Sequence, residues 1–241
     1  TDNYLYLDNM DSNYGIGGNT SYADGGTEGV NLSDNAPLLG NTFTQELRFY
    51  YDPVGQTGLE QFLGNESRKA PTISSYRNGT EIRYGFFTDG AVRYDRKIIR
   101  NLNITRAWHH IATTFDGTNY RLFLDGEEID NTTAFQGLTP PNTERVTLIG
   151  GKTARGKIDE VRMWNVARTQ AQIQANMNKT LVGNESGLVA YYPMDVNNNW
   201  EIIDKTSNAN HAKVTHAEIL PRFFDNSSCT NGPDGTTTCP Y

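Results

Sequence analysis

Apolar and polar positions alternate in short runs along most of this chain, and Asn-Gly or Asp-Gly pairs interrupt the runs. From Trp108 the order is plain. Ile111, Thr113 and Phe115 alternate with Ala112 and Thr114, Asp116-Gly117 intervenes, Tyr120, Leu122 and Leu124 resume, and Asp125-Gly126 intervenes again. A period of two with turn pairs between runs predicts strand, turn, strand, turn. Between 72 and 98 the runs TISSYR, TEIRYGFFT and AVRYDRKII are separated by Asn78-Gly79 and Asp89-Gly90, which predicts two hairpins with two-residue turns. Such turns fix a register: Tyr76 opposite Glu81 and Ile73 opposite Tyr84, then Gly85 opposite Tyr94 and Arg83 opposite Arg96. Side chains alternate faces, so Ile73, Ile82, Tyr84 and Phe86 are expected in the core, with Tyr76, Glu81, Arg83, Tyr94 and Arg96 on the other face. One helix is predicted, over about 170–178. Thr169 is its N-cap, Gln172 completes a capping box, and Ile173 and Met177 form its buried stripe.

These runs also carry a family resemblance. Trp108-His109-His110, Phe123-Leu124-Asp125-Gly126, Ile149-Gly150-Gly151 and Gly156-Lys157-Ile158-Asp159-Glu160-Val161-Arg162-Met163-Trp164 follow one another in the order seen in the laminin-G-like, concanavalin A-like jelly-roll family. The likeness extends to Phe43–Asp52 at one side and to Leu188–Asp195 and Asp204–Ala212 at the other. It implies an all-β antiparallel sandwich of jelly-roll type with one short helix, and glycan or protein ligands. A single jelly-roll domain is expected over 1–215, since β-sandwiches run to roughly 250 residues as one unit. Residues 216–241 lack strand periodicity and read as a small appendage or the start of a linker to a further domain.

Charge narrows the partners. With 21 Lys plus Arg against 28 Asp plus Glu, the net charge of −7 repels nucleic-acid phosphates and anionic lipid surfaces. No apolar run approaches the ~18 residues of a membrane span. The opening Thr1-Asp2-Asn3 reads as that of a mature or excised segment. Both cysteines, Cys229 and Cys239, flank a turn-rich stretch, Asn231-Gly232-Pro233-Asp234-Gly235. A disulfide closing that loop is the favoured reading, and it implies an extracellular or cell-surface setting. Two free or metal-binding thiols are the alternative.

Candidate chemistry is sparse. Glu128-Ile129-Asp130 resembles the start of a hydrolase carboxylate strand, but Thr132 and Thr133 stand where the third carboxylate belongs. Asp159 and Glu160 are adjacent and point to opposite faces, so they cannot form the pair that glycoside hydrolysis needs. His109 and His110 are likewise on opposite faces and cannot chelate one metal. The chain is therefore read as a non-enzyme. Asp195, Asn197 and Asn199 space oxygens as in the first half of a calcium loop, and Asp204 can add a carboxylate, which makes a structural calcium the expected cofactor. Asp159 shares a strand face with Val161 and Met163, so burial there would require a cation or several donors. Aromatic platforms and planar hydrogen-bonding groups suit sugars, and Tyr76, Arg83, Tyr94 and Arg96 are the expected glycan-binding set. A protein-binding or structural module of a surface assembly is the second reading, and a hydrolase-like enzyme the third.

Overall fold

The computed structural model describes residues 3–7, 29–32, 36–52, 59–65, 67–76, 79–88, 97–100, 102–151, 154–215, 218–221, 230–231 and 237–238. Strands in chain order are β1 (Asn3–Leu7), β2 (Gly29–Asn31), β3 (Phe43–Tyr51), β4 (Leu59–Gly64), β5 (Thr72–Tyr76), β6 (Glu81–Gly85), β7 (Lys97–Arg100), β8 (Trp108–Phe115) and β9 (Tyr120–Leu124). They continue with β10 (Glu127–Thr132), β11 (Leu148–Gly151), β12 (Gly156–Trp164), helix α1 (Gln170–Asn176), β13 (Leu188–Tyr192), β14 (Glu201–Ile202), β15 (Ala212–Thr215), β16 (Glu218–Pro221), β17 (Thr230–Asn231) and β18 (Thr237–Thr238).

Two antiparallel sheets form the sandwich. The first runs β10-β9-β8-β3-β12-β1-β16, and β13 shares with β1 the free side of β12. The second runs β14-β15-β2-β11-β4-β5-β6-β7. Alternate residues supply the core between them: Phe43, Leu47, Phe49 and Tyr51 from β3, Ile111 and Phe115 from β8, and Ile73, Ile82, Tyr84 and Phe86 from the facing sheet. Aromatic edges meet faces throughout this core, as where Tyr84 and Tyr120 lie 4.9 Å apart at 87°. At Gly156 the backbone of β12 comes so close to β3 that a Cβ would lie 1.9 Å from the carbonyl oxygen of Tyr50.

The first predicted hairpin is realised, with Tyr76 opposite Glu81 and Ile73 opposite Tyr84. The second is not. Arg83 faces Ile98 and Tyr84 faces Lys97, a slip of two residues from the expected register. Asp89-Gly90, on which the expected register rested, lies outside the described residues. An even slip leaves the faces unchanged. The helix begins at its predicted cap, with both halves of the Thr169–Gln172 capping box made and Ile173 buried, and ends two residues early at Asn176. Chain order beyond 215 also differs from expectation, because β16 pairs with β1 and extends the first sheet.

Two of the buried carboxylates tie the sandwich together in different ways. Glu46 lies on the outer face of β3 beneath the 165–187 segment. Its Oε2 meets His110 Nε2 at 3.1 Å, and its Oε1 accepts from Trp164 Nε1 at 2.7 Å and Arg168 Nη1 at 3.1 Å. Burial alone would raise its pKa, but the His110 hydrogen bond and the charges of Arg162, His110 and Arg168 hold it at about 2. Arg162 ties the same cover to the sheet, donating to Glu160 Oε2 at 2.6 Å and to the carbonyls of Asn176 and Lys179. Glu60 lies inside the core instead. Its Oε1 accepts from the Tyr51 hydroxyl, and its Oε2 has no partner among the described residues. Burial pushes its carboxyl up to about 7, against the opposing pull of Tyr51 and Arg155.

Candidate functional site

Four strands that are distant in sequence bring an aromatic row to the outer face of the first sheet. Trp108 of β8 is opposite Tyr50 of β3, Tyr50 opposite Lys157 of β12, and Lys157 opposite Tyr6 of β1, with Glu218 next in register on β16. Strands lie about 4.8 Å apart, so the row extends for roughly 14 Å from Trp108 to Tyr6. Trp108 stands edge-on to Tyr50 at 6.1 Å and to Tyr4 at 6.0 Å. Cations interleave with the rings: Lys157 Nζ is 4.8 Å from the Tyr50 ring and 5.1 Å from that of Tyr4, and the Arg48 guanidinium is 5.6 Å from Trp108. Tyr6, Arg48, Tyr50, Trp108 and Lys157 are half-buried, whereas their sequence neighbours Leu5, Leu7, Phe49, Tyr51 and Ile158 fill the core. Such a row offers ring faces and guanidinium or ammonium donors side by side.

The residues expected to bind glycan are distributed differently. Tyr76 and Arg83 do meet, with the guanidinium 3.8 Å from the ring, but Arg83 also donates to Glu81 at 3.3 Å. Ser74 and Gln61 on that face are fully buried and Glu81 is 2% exposed, so it is not the open surface expected from alternation. Tyr94 and Arg96 lie outside the described residues.

Nor does the expected calcium set converge. Asp204 is buried; its Oδ1 accepts the N–H groups of Tyr191 and Thr206, its Oδ2 that of Asn210, and the Thr206 hydroxyl donates to both. Asp195 Oδ2 lies 2.8 Å from Lys205 Nζ. Asn197 Oδ1 accepts from the N–H groups of Asn199 and Glu201, and Asn199 is exposed. Calcium takes six to eight oxygens, and both carboxylate oxygens of Asp204, Oδ2 of Asp195 and Oδ1 of Asn197 are already engaged by protein donors, so the four residues as arranged do not fit a common cation. Thermal melts with calcium and with chelator should therefore coincide within about a degree. A calcium-dependent rise of several degrees that Asp195→Asn removes would show instead that Lys205 and the amide donors give way to an ion.

The carboxylates considered for catalysis have structural partners. A bulge shifts the register between Glu128 and Asp130; Asp130 accepts from Tyr84 at 2.9 Å, and Glu128 is 3.6 Å from Arg121. Glu160 pairs with Arg162 and accepts from Tyr191. No group of three His, Cys, Asp or Glu able to hold a metal occurs among the described residues. The bulge between Asp159 and Arg162, with Glu160 at φ 52, also moves Asp159 off the Val161 face expected for it and places it opposite Arg48. His109 and His110 do point apart, to Asp125 and to Glu46. At the opposite end of the sandwich an open cleft of roughly 500 Å³ lies among Leu38, Arg145, Val189, Asn208 and Asn210. Its polar groups already hold the rim, with Arg145 donating to the Ala36 carbonyl and Asn208 to that of Val189.

A family model described as the concanavalin A-like lectin/glucanases superfamily, of laminin G type, matches residues 24–174, more than half of the chain. The chain belongs to this superfamily. Superfamily membership accounts for the two-sheet sandwich. One curated relative is pappalysin-1 of Mus musculus, 36% identical over 78 residues, which are 29% of this chain and 5% of that protein. A solved structure from Bacteroides ovatus ATCC 8483, which bears the provisional name of carbohydrate binding protein, shares the fold at a TM-score of 0.60 with 17% identity. It is matched over 91% of this chain and 58% of that one. The CBM40 of a Ruminococcus gnavus IT-sialidase, solved with α2,3 sialyllactose, matches at a TM-score of 0.47 with 14% identity, over 64% of this chain and 93% of that one. The chain thus spans only part of the first two proteins. Among the described residues no helix is long and apolar enough to cross a membrane.

Proposed function

We propose that this superfamily member is a noncatalytic carbohydrate-binding module that works outside the cell or at its surface, as an adhesive or targeting part of a larger protein. The observation that carries the reading is the cross-strand row Trp108–Tyr50–Lys157–Tyr6, with Arg48 beside it. A sugar presents an apolar C–H face and a rim of hydroxyls, which match an aromatic ring flanked by cationic donors. The Bacteroides ovatus fold relative supports the same reading by its name. A linked Cys229 and Cys239 would suit the extracellular setting. Thr230 opposite Thr238 shows that the chain does turn back between them, and the cysteines themselves lie outside the described residues.

A glycan array on the intact protein, followed by calorimetry on each hit, tests the reading. Trp108→Ala should weaken binding by roughly 1–3 kcal/mol, and Lys157→Gln by a smaller amount. Tyr76→Ala and Arg83→Ala, in the mutually engaged pair of the other sheet, should leave affinity within twofold. Unchanged binding in Trp108→Ala and loss in the second pair would move the site to that sheet.

A further inference from the structure

Trp200 is at odds with its position in two ways. Its side chain is 80% exposed, more than any other large apolar residue described, so the indole gains nothing from burial. Its backbone sits at φ 61, a left-handed conformation that is a genuine outlier for a bulky side chain and that Gly or Asn adopts more easily. The turn around it is nonetheless firmly built. Asn197 N–H donates to the Glu201 carbonyl at 3.0 Å, and Trp200 N–H to that of Asn197 at 3.1 Å. Asn197 Oδ1 accepts from Asn199 N–H at 2.8 Å and Glu201 N–H at 3.1 Å, while its Nδ2 donates to Glu201 Oε2 at 3.1 Å. Below the tip, Val196 bridges Ile202 and Ile203 N–H donates to the Asp195 carbonyl. A preorganised hairpin tip thus holds an indole out in water, and a strained residue kept against both burial and backbone preference points to a contact outside the fold.

We infer that Trp200 is a stacking platform for a neutral pyranose ring, a second subsite apart from the row on the first sheet. Its immediate neighbours choose the occupant. Asn198 and Asn199 are exposed and bring amides, which can donate and accept at once to neighbouring hydroxyls. The nearby ammonium of Lys205 is paired with Asp195 at 2.8 Å, and Lys213 lies opposite the acidic Glu201, so each cation beside the tip is matched by an acid and the surroundings favour a neutral ligand. A lipid surface would need further apolar side chains beside the indole, and the tip residues Asn197 to Asn199 are all polar. The inference rests on the carbohydrate reading above and extends it to a second point of contact.

Acrylamide quenching reports chiefly on this residue, because Trp164 is 2% exposed and Trp108 half-buried while Trp200 stands in solvent, and the smaller Trp108 contribution is read separately in Trp200→Ala. The intact protein is titrated with four neutral hexaoses, of β-linked glucose, xylose, mannose and galactose, and with every array hit, while acrylamide quenching is followed. At least one of these sugars should cut the quenching several-fold. Trp200→Ala should abolish that protection and weaken binding at least tenfold. Trp200→Asn should bind as poorly as Trp200→Ala yet melt above the wild type, because it relieves the left-handed strain. A sugar bound by Trp200→Ala with wild-type affinity, and still dependent on Trp108, overturns the platform and leaves the carbohydrate reading intact. Failure of every hexaose and every arrayed glycan to bind the wild type overturns both.

Discussion

Replacing Glu46 by Ala should lower stability by about 3–5 kcal/mol, the range expected when one partner of a buried ion pair is removed. The loss has identifiable parts. Arg168 would keep its guanidinium stacked 3.9 Å from the Trp164 ring but lose the carboxylate to which it donates, and Trp164 Nε1 and His110 Nε2 would lose their acceptor. In a chain of this size that corresponds to a fall in melting temperature on the order of 10 °C. Glu46→Gln should cost less, since its amide oxygen still accepts from Trp164. Acid should act through the same group. With a folded pKa of about 2 against an ordinary 4.5, its stabilisation is complete above pH 4.5 and disappears as pH falls toward 2. Denaturant midpoints for the two variants at neutral pH test this directly, and a wild-type midpoint for Glu46→Ala would show the network to be dispensable.

Glu60 should produce the opposite slope in a higher window. Its folded pKa, raised to about 7 from 4.5, means that between those values the folded chain holds a proton the unfolded chain has released. Stability from this group is therefore complete below pH 4.5 and falls as pH rises to 7, by up to about 3 kcal/mol. Glu60→Gln stays uncharged throughout. It should flatten the decline between pH 5 and 8 and be more stable than the wild type at pH 8, read from denaturant midpoints at the two pH values. Parallel pH profiles for variant and wild type would mean that the carboxylate ionises inside the core without penalty.

Local features were legible in the sequence and cross-strand assembly was not. The Asn78-Gly79 hairpin, the capping box at Thr169 and the opposed His109 and His110 each depend on residues a few positions apart, where turn geometry and periodicity decide the outcome. The β6–β7 register was not legible because a turn pair states only a local preference, which does not fix the pairing of residues several positions away. Strict alternation puts Asp159 on the wrong face because it cannot register a bulge: one residue at positive φ, Glu160, reverses the parity of everything before it. The aromatic row escaped notice for a third reason. Tyr6, Tyr50, Trp108 and Lys157 belong to four strands, and each alone looks like one polar-face residue on a common strand. Only the order β8-β3-β12-β1 makes them neighbours. The expected calcium residues show the converse, since D-x-N-x-N spacing cannot reveal that Lys205 and the amides around Asp204 will occupy the oxygens first.

The pairing of β1 with β16 sets how the module meets a mechanical load. Asn3 lies opposite Pro221, and the two strands run antiparallel on one side of the first sheet. A pull applied at these two residues would draw the strands apart from a shared end, so their hydrogen bonds open one after another, as in a zipper. Tension at that end is resisted by a single rung at a time, whereas β3, β8 and β12 in the middle of the sheet remain shielded until the edge has peeled away. The seam that gives first would be the one between β16 and β1, which turns β1, the strand that supplies Tyr4 and Tyr6 to the aromatic row, into the new edge of the sheet.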